Sequence, residues 1–430
     1  MTLRVSRLHL LLLVLSTGLS ACSTLGYYAQ SVSGQFQLMG KEQPLKKVIA
    51  DDNTGTALRS RLVFIRTVLA FAHTRLGLPD NGSYRDYADL GRPYVTWNVF
   101  AARELSLQAR QWCYVFIGCL NYRGYFTEAA ATAYAGKLRR QGWDVFVGGV
   151  SAYSTLGWFR DPVLNTMLNR EDWEIARLLF HELAHQKIYF KDGAEVNEAV
   201  AETVARIGLS LWLQTQPPAE GDRVSKLLAH EDAVTDLLLE CRQKLGRLYG
   251  SRLPAGEKRS KKKQIFNALQ RDYQRLKSRW DGDDRFDSWM RRDLNNGKLV
   301  AVSTYHKLVP ALMALYQAHG RDLDGFYNYL DGLKNSDHAA LLRGIGVKIP
   351  EQVFCRDGGC KNTTPSPRPP RRSGQSKYNA PMYKERRLGG ATSIHTQRDL
   401  AQNGGSPVQK KQLAMTADCP PDGECLDNAE

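Results

Sequence analysis

The spacing of apolar residues divides the chain into a leader, a long patterned middle and a polar tail. Arg4 and Arg7 precede an uncharged apolar run from Leu10 to Leu15 and then small residues. That is the layout of a secretory signal (residues 1–21), too short for a membrane-spanning helix, which needs about 20 apolar residues. Residues 22–45 hold Ser, Gly and Gln with a few aromatics and read as a partly ordered tether. From Leu58 to Leu76 apolar residues recur at helical spacing and stop at the breakers Gly77, Pro79 and Gly82. Tyr94–Ala101 and Trp112–Ile117 are rich in β-formers and read as strands, Thr127–Gln141 as a helix ended by Gly142, and Trp143–Val150 as a further strand. Gly148 and Gly149 in that strand would let another backbone approach, as at a sheet edge that accepts a peptide.

Helical spacing then dominates. A helix is expected from Asn169, which can cap free amides, with Glu171 and Asp172 at its positive end and Ala176, Leu179, Phe180 and Leu183 as its core stripe. Asp192-Gly193 forms a turn, and Ala194–Leu213 a second helix stopped by Pro217 and Pro218. Residues from about 220 to 282 read as an antiparallel helical hairpin, broken around Pro254-Ala255-Gly256. The basic cluster Lys258, Arg259, Lys261, Lys262 and Lys263 is expected at a solvated hairpin tip. Another helical block spans Ser303–Gly344. Residues 350–430, with TPSPRPPRRSGQS as their most biased part, have too few apolar residues to bury and read as disordered. The fold class is therefore α+β, mainly helical, with a small sheet, and the folded domain covers 46–349.

The chemistry concentrates in FHELAHQKIYFKDGAEVNEAVAE, Phe180–Glu202. On a helix a spacing of four returns a side chain to nearly the same face, so His181 and His185 can converge on one metal ion while Glu182 points beside it. Zinc hydrolase sites use three protein ligands and leave one position for water. His185 lies about one turn before the end of the first helix and Glu198 about one turn after the start of the second, so an antiparallel pair sets them level, roughly 7 Å from the bend. Glu198 is the expected third ligand. Glu202, one turn on, is placed to orient a histidine, and Glu195 ranks behind both. Glu182 is the expected general base. For stabilising the oxyanion, Tyr305 and then His306 are nominated from STYHKLVP, near the start of a later helix. His230, His319 and His338 read as surface or packing residues.

Composition changes the picture in two places. The net charge of +15 on 430 residues is spread along the chain without a nucleic-acid-binding motif, so a basic envelope protein is expected, with no nucleic-acid partner. Of the eight cysteines, Cys113/Cys119, Cys355/Cys360 and Cys419/Cys425 form close pairs suited to disulfides in an oxidising compartment, and Cys241 is left as a buried thiol. Leu19-Ser20-Ala21-Cys22 resembles the lipobox of bacterial lipoproteins. That resemblance implies cleavage before Cys22, its lipidation, and a membrane tether, with Ser23 favouring the outer membrane, facing the periplasm.

HELAH followed by NEAVAE resembles the gluzincin pattern of zinc peptidases. The lipobox, GYYAQSVSGQ, WC-x5-C-x-NYRGYF, AYSTLGWFRDPVL and FHELAHQ together resemble a bacterial lipoprotein family described as putative aminopeptidases, from about Cys22 to about Ile349. The resemblance implies a zincin-like fold, one zinc ion held by His181, His185 and Glu198, Glu182 in catalysis, and a peptide or protein substrate. The gap between His185 and Glu198 is short for gluzincins, and no GAMEN motif is present. The exopeptidase assignment thus stands beside an endopeptidase and beside an envelope assembly factor that uses the scaffold without turnover.

Overall fold

A computed structural model describes residues 26–114, 118–152, 155, 160–291 and 293–347, and two short strands beyond them. The leader, Cys22, Cys419, Cys425 and most of the tail lie outside the described residues. Residues 26–39 form a helix, α1, followed by β1 (Gln43–Pro44) and α2 (Leu45–Ala50), so the ordered part of the stretch expected as a partly ordered tether begins by residue 26. Leu38 of α1 is buried and Gly34 lies against the Phe126 ring, which accounts for that order.

The long helix α3 (Thr56–Leu76) ends on Gly77 in the left-handed conformation, φ 61°, which a glycine adopts without strain. Next come β2 (Asp86–Ala88), β3 (Thr96–Arg103), the hairpin of β4 (Trp112–Tyr114) and β5 (Gly118–Leu120), and β6 (Arg123–Tyr125). Helix α4 (Glu128–Arg140), capped by the Thr127 side chain, leads into β7 (Trp143–Val150), β8 (Val163–Leu164) and a short α5 (Asn165–Leu168).

Strands β6, β3 and β7 form an antiparallel sheet with β3 in the middle. Period-two alternation sends Trp97, Val99 and Ala101 to one face, against Ala131, Ala135 and Leu138 of α4. Phe100 and Ala102 face the other way, with Phe146 of β7. There they meet Val300, Ala301 and Tyr305 of α11 (Asn296–His306). Both faces being covered, Thr96 to Ala102 are buried without interruption. Strand β7 lies at an edge as expected, but Gly149 is needed for another reason: a Cβ there would stand 2.4 Å from the Tyr94 ring.

The metal-motif helix α6 (Asp172–Lys187) starts three residues after the expected cap. Asn169 ends α5 instead, and Glu171 takes the N-cap, its backbone N–H donating to Glu174 (2.8 Å). Helix α7 (Ala194–Leu213) has the expected bounds. Both helices sit in the main core with α3, and their many fully buried Leu, Ile, Val and Phe side chains each contribute roughly 1.5–3 kcal/mol. A Cβ on Gly208 would meet Leu76 at 2.6 Å and Phe180 at 2.8 Å, so its absence lets α3, α6 and α7 close on one another.

Helices α8 (Pro218–Gly250) and α9 (Ala255–Lys277) make the hairpin, whose core includes the buried thiol of Cys241. The basic cluster is a solvated tip only in part: Lys261 and Lys263 are exposed as expected, but two of its members are tied to the sheet. Lys262 is buried and donates to Asp144 of β7 (2.5 Å) and to the Glu104 carbonyl (2.9 Å), while Arg259 pairs with Glu104 (2.9 Å). Asn296, fully buried, donates to the carbonyls of Arg103, Glu104 and Ser106 at 2.8–3.0 Å. This polar knot fastens the hairpin and α11 to the end of the sheet. After α10 (Asp287–Arg291) and α11 come α12 (Val309–Ala318), α13 (Leu323–Gly332) and α14 (His338–Gly344), which close the main core. Asn296–Ala318 is apolar enough to cross a membrane by composition, yet every residue of α11 is buried within the protein. Strands β9 (Cys355–Arg356) and β10 (Gly359–Cys360) pair antiparallel, with Cys355 opposite Cys360.

Candidate metal centre

Helices α6 and α7 are held together by the linker between them. Asn197 lies buried on α7, accepts from the Phe190 N–H and donates to the Phe190 carbonyl, both at 2.8 Å. Asp192 turns the chain with φ 59° and accepts from the N–H of Cys119 (3.0 Å). Cys119 is disulfide-bonded to Cys113, so a closed β4–β5 loop leans on the turn between the two helices.

The sharp linker sets the expected ligands at one level. His181 Nε2 and His185 Nε2 are 3.2 Å apart, and Glu198 Oε2 stands 3.4 Å from the first and 3.5 Å from the second. Tetrahedral zinc with bonds of about 2.0–2.1 Å spaces its ligand atoms roughly 3.3 Å apart, so the triangle fits such an ion. The three side chains are only 7, 11 and 11% exposed, so the triangle lies within the protein.

The electrostatics also call for a cation. Burial would lower the His181 pKa, yet the facing carboxylates of Glu198 and Glu202 push it up to about 10. Burial would raise the Glu198 carboxyl, yet His185 and His181 hold it down at about 2. Two imidazoles and a carboxylate so arranged favour positive charge at their centre, supplied by a proton or, in its place, by a metal ion.

Glu182 lies beside the triangle and is not part of it. It is buried, and burial raises its pKa against the pull of His181 and His185, with Glu198 and Asp161 adding to the rise. A carboxyl so placed takes up a proton more readily than a free glutamate. Glu202 Oε2 stands 3.9 Å from His181 Nδ1, long for a direct hydrogen bond but on the expected nitrogen. Its other oxygen accepts from Arg177 (2.5 Å) and Arg206 (2.6 Å). Arg177 reaches on to both oxygens of the buried Glu231 on α8 at 2.7–2.8 Å, and Arg206 to Asp232 (2.6 Å). Burial works against this charge, and Arg177, Glu231 and Glu202 stay ionised because each is answered by a partner. Glu195 pairs with Lys307 (3.2 Å) instead.

The remaining expectations separate. Tyr305 and His306 fall in the last turn of α11, not near a helix start, because that helix begins at Asn296. The Tyr305 ring lies 6.3 Å from that of His181. His306 is buried within the field of Glu202, Arg206 and Glu231, on the ion network, and its Nδ1 has no hydrogen-bond partner. His230 stacks on Trp280 at 4.3 Å and pairs with Asp283, a packing role.

Two tyrosines absent from the expected set also belong here. Tyr122, in the turn between β5 and β6, has its hydroxyl pKa pushed well up by burial, with Glu198 and Glu182 adding to it. Tyr84 is buried at φ 62°, its hydroxyl without a hydrogen-bond partner and under the influence of Glu182 and Asp161. Asp161 in turn accepts from Gln186 of α6 (3.0 Å), next to His185. Tyr122 belongs to NYRGYF, part of the family resemblance, but no spacing rule ties that segment to a helix some sixty residues on.

A mainly helical α+β body thus buries on a helical hairpin a His–His–Glu triangle that could hold a metal ion, with the Glu182 carboxyl alongside. The chain belongs to the family described as "Putative aminopeptidase", which it matches over residues 26–341. No curated protein and no solved structure matches it.

Proposed function

We propose that this protein is a zinc-dependent peptidase, an aminopeptidase, acting as a lipid-anchored protein of the bacterial envelope. The observation that carries the reading is the closed triangle of His181, His185 and Glu198 with Glu182 buried beside it. These three side chains would hold the ion. Zinc bound in this way acidifies water and polarises a carbonyl.

The chain's own groups supply the rest. Glu182 takes the proton of the attacking water and passes it to the leaving amine, a role that its raised pKa favours. Glu202, braced by two arginines, keeps the Nδ1 side of His181 facing a carboxylate and so presents Nε2 to the ion. Tyr122, whose phenol stays protonated beside Glu182 and Glu198, donates to the developing oxyanion, with Tyr305 as a second donor beside His181. His306 is better placed to hold Glu202 than to reach a substrate. The Cys113–Cys119 disulfide supports an oxidising compartment, and Cys22 supplies the anchor.

Purified protein should contain one zinc per chain and cleave peptides with a free amino terminus but not their N-acetylated forms. Cleavage of both forms makes it an endopeptidase, and metal without cleavage leaves the assembly factor. Tyr122→Phe should lower kcat about 100-fold, with KM and zinc content kept. A kcat within about twofold of wild type would remove Tyr122 from the reaction.

A further inference from the structure

Helix α1 turns Gly34 and Leu38 inward and leaves four large apolar residues on its outer side. On the inner side, Gln30 accepts from the Phe126 N–H (3.2 Å), and a Cβ on Gly34 would stand 2.2 Å from the Phe126 ring. The Tyr27 ring stacks on Tyr114 at 5.7 Å and lies under the Arg123 guanidinium at 3.9 Å. The outer side presents Tyr28, Val32, Phe36 and Met39 at 40, 54, 67 and 37% exposure. Their spacing of four, four and three makes one continuous stripe along the helix. Among the described residues six large hydrophobic side chains are exposed, and these are four of them. Single exposed apolar residues are ordinary, whereas a stripe of four marks a face that meets something apolar.

We propose that this stripe rests on a lipid bilayer, with α1 lying in the membrane interface and its four apolar side chains at the boundary of headgroups and acyl chains. The choice of lipid over a protein partner follows from chain length. Tyr28 follows Cys22 by six positions, a reach of at most about 22 Å even fully extended, so an acylated Cys22 holds the stripe at the membrane surface. No charged residue interrupts residues 26–40, and the exposed Lys41, Lys46 and Lys47 follow directly, where they meet anionic headgroups. An acyl tether alone leaves the body free to swing. An interfacial helix fixes which face of the protein looks at the membrane.

This proposal takes its source of lipid from the anchor reading at Cys22 and is independent of the peptidase reading. The test uses the chain from position 22 to its end with Cys22→Ser, so that no acyl chain contributes. It should co-sediment with vesicles of phosphatidylethanolamine and phosphatidylglycerol, and Val32→Ser/Phe36→Ser should weaken partitioning about tenfold or more. Both positions are exposed, so the double variant keeps its fold, checked by near-ultraviolet circular dichroism. Phe36→Trp should give an indole emission that moves to the blue with vesicles and is quenched by lipids brominated on their acyl chains. Absence of binding by the unacylated chain, equal binding by the double variant, or an indole blind to the brominated lipid each overturns the proposal. So does a dimer that the double variant dissolves in a chain that ignores vesicles, since the stripe would then join two copies. Acylation of Cys22 is read separately, from the mass of the protein extracted from membranes.

Discussion

Glu182→Gln should leave the metal content unchanged and reduce peptide hydrolysis by about 10²–10⁴-fold or more. Glutamine keeps the size and polarity of the side chain, so the fold and the neighbouring ligands are undisturbed, but it can neither accept a proton from water nor deliver one to an amine. The effect is expected to be large because Glu182 is buried beside the His–His–Glu triangle and its pKa is raised by that burial. Glu198 is close, but its pKa of about 2 makes it a poor base. Metal analysis and single-turnover kinetics on the same preparation separate the two effects. Hydrolysis within about tenfold of wild type at full zinc content would take the base out of the mechanism.

Arg177→Met should be the most damaging single change outside the triangle. Arg177 answers Glu202 and Glu231 together, and the two carboxylates are only 5 and 4% exposed. Removing the guanidinium strands buried negative charge, at a cost of about 3–5 kcal/mol by urea unfolding. A second readout distinguishes this from mere loss of stability. Glu202 would lose one of its two arginines, so the chain that still folds should bind zinc about 10–100-fold more weakly in competition with a chelating dye. Glu231→Gln, which keeps Arg177 on Glu202, should lose stability but retain most of that affinity. Equal zinc affinity in wild type and Arg177→Met would detach the network from the metal centre.

How much of this was legible depended on whether the information was local in the chain. The bounds of α7 follow from Gly193 before it and Pro217 after it, and the triangle follows from helical spacing plus a short turn. The start of α6 does not, because Asn169 closes the preceding short helix and Glu171 caps the next. The tie that Lys262 and Arg259 of the basic cluster make is invisible locally because their partners, Asp144 and Glu104, come from the distant end of the sheet. Tyr305 and His306 are neighbours in sequence, yet successive helix positions point about 100° apart, and one faces His181 while the other faces the arginines. Tyr122 and Tyr84 reach the site through a disulfide-closed hairpin and a loop, and neither leaves a periodic trace.

The short linker between α6 and α7 bears on the order in which the protein assembles. Glu198 follows His181 by 17 positions, so the length-dependent part of the cost of closing the ligand loop in a disordered chain is only about 2.5 kcal/mol. Arg177 and Glu231 are 54 positions apart, and Cys119 meets Asp192 across 73. An ion that the three ligands accept can therefore be captured by a nascent helical hairpin, before the long-range ion pairs and the disulfide loop arrive to lock it. Capture by the incompletely folded chain subtracts from the stabilisation that the same ion gives to the native state. The measured gain in unfolding free energy on adding zinc should accordingly fall short of the binding free energy of the finished site.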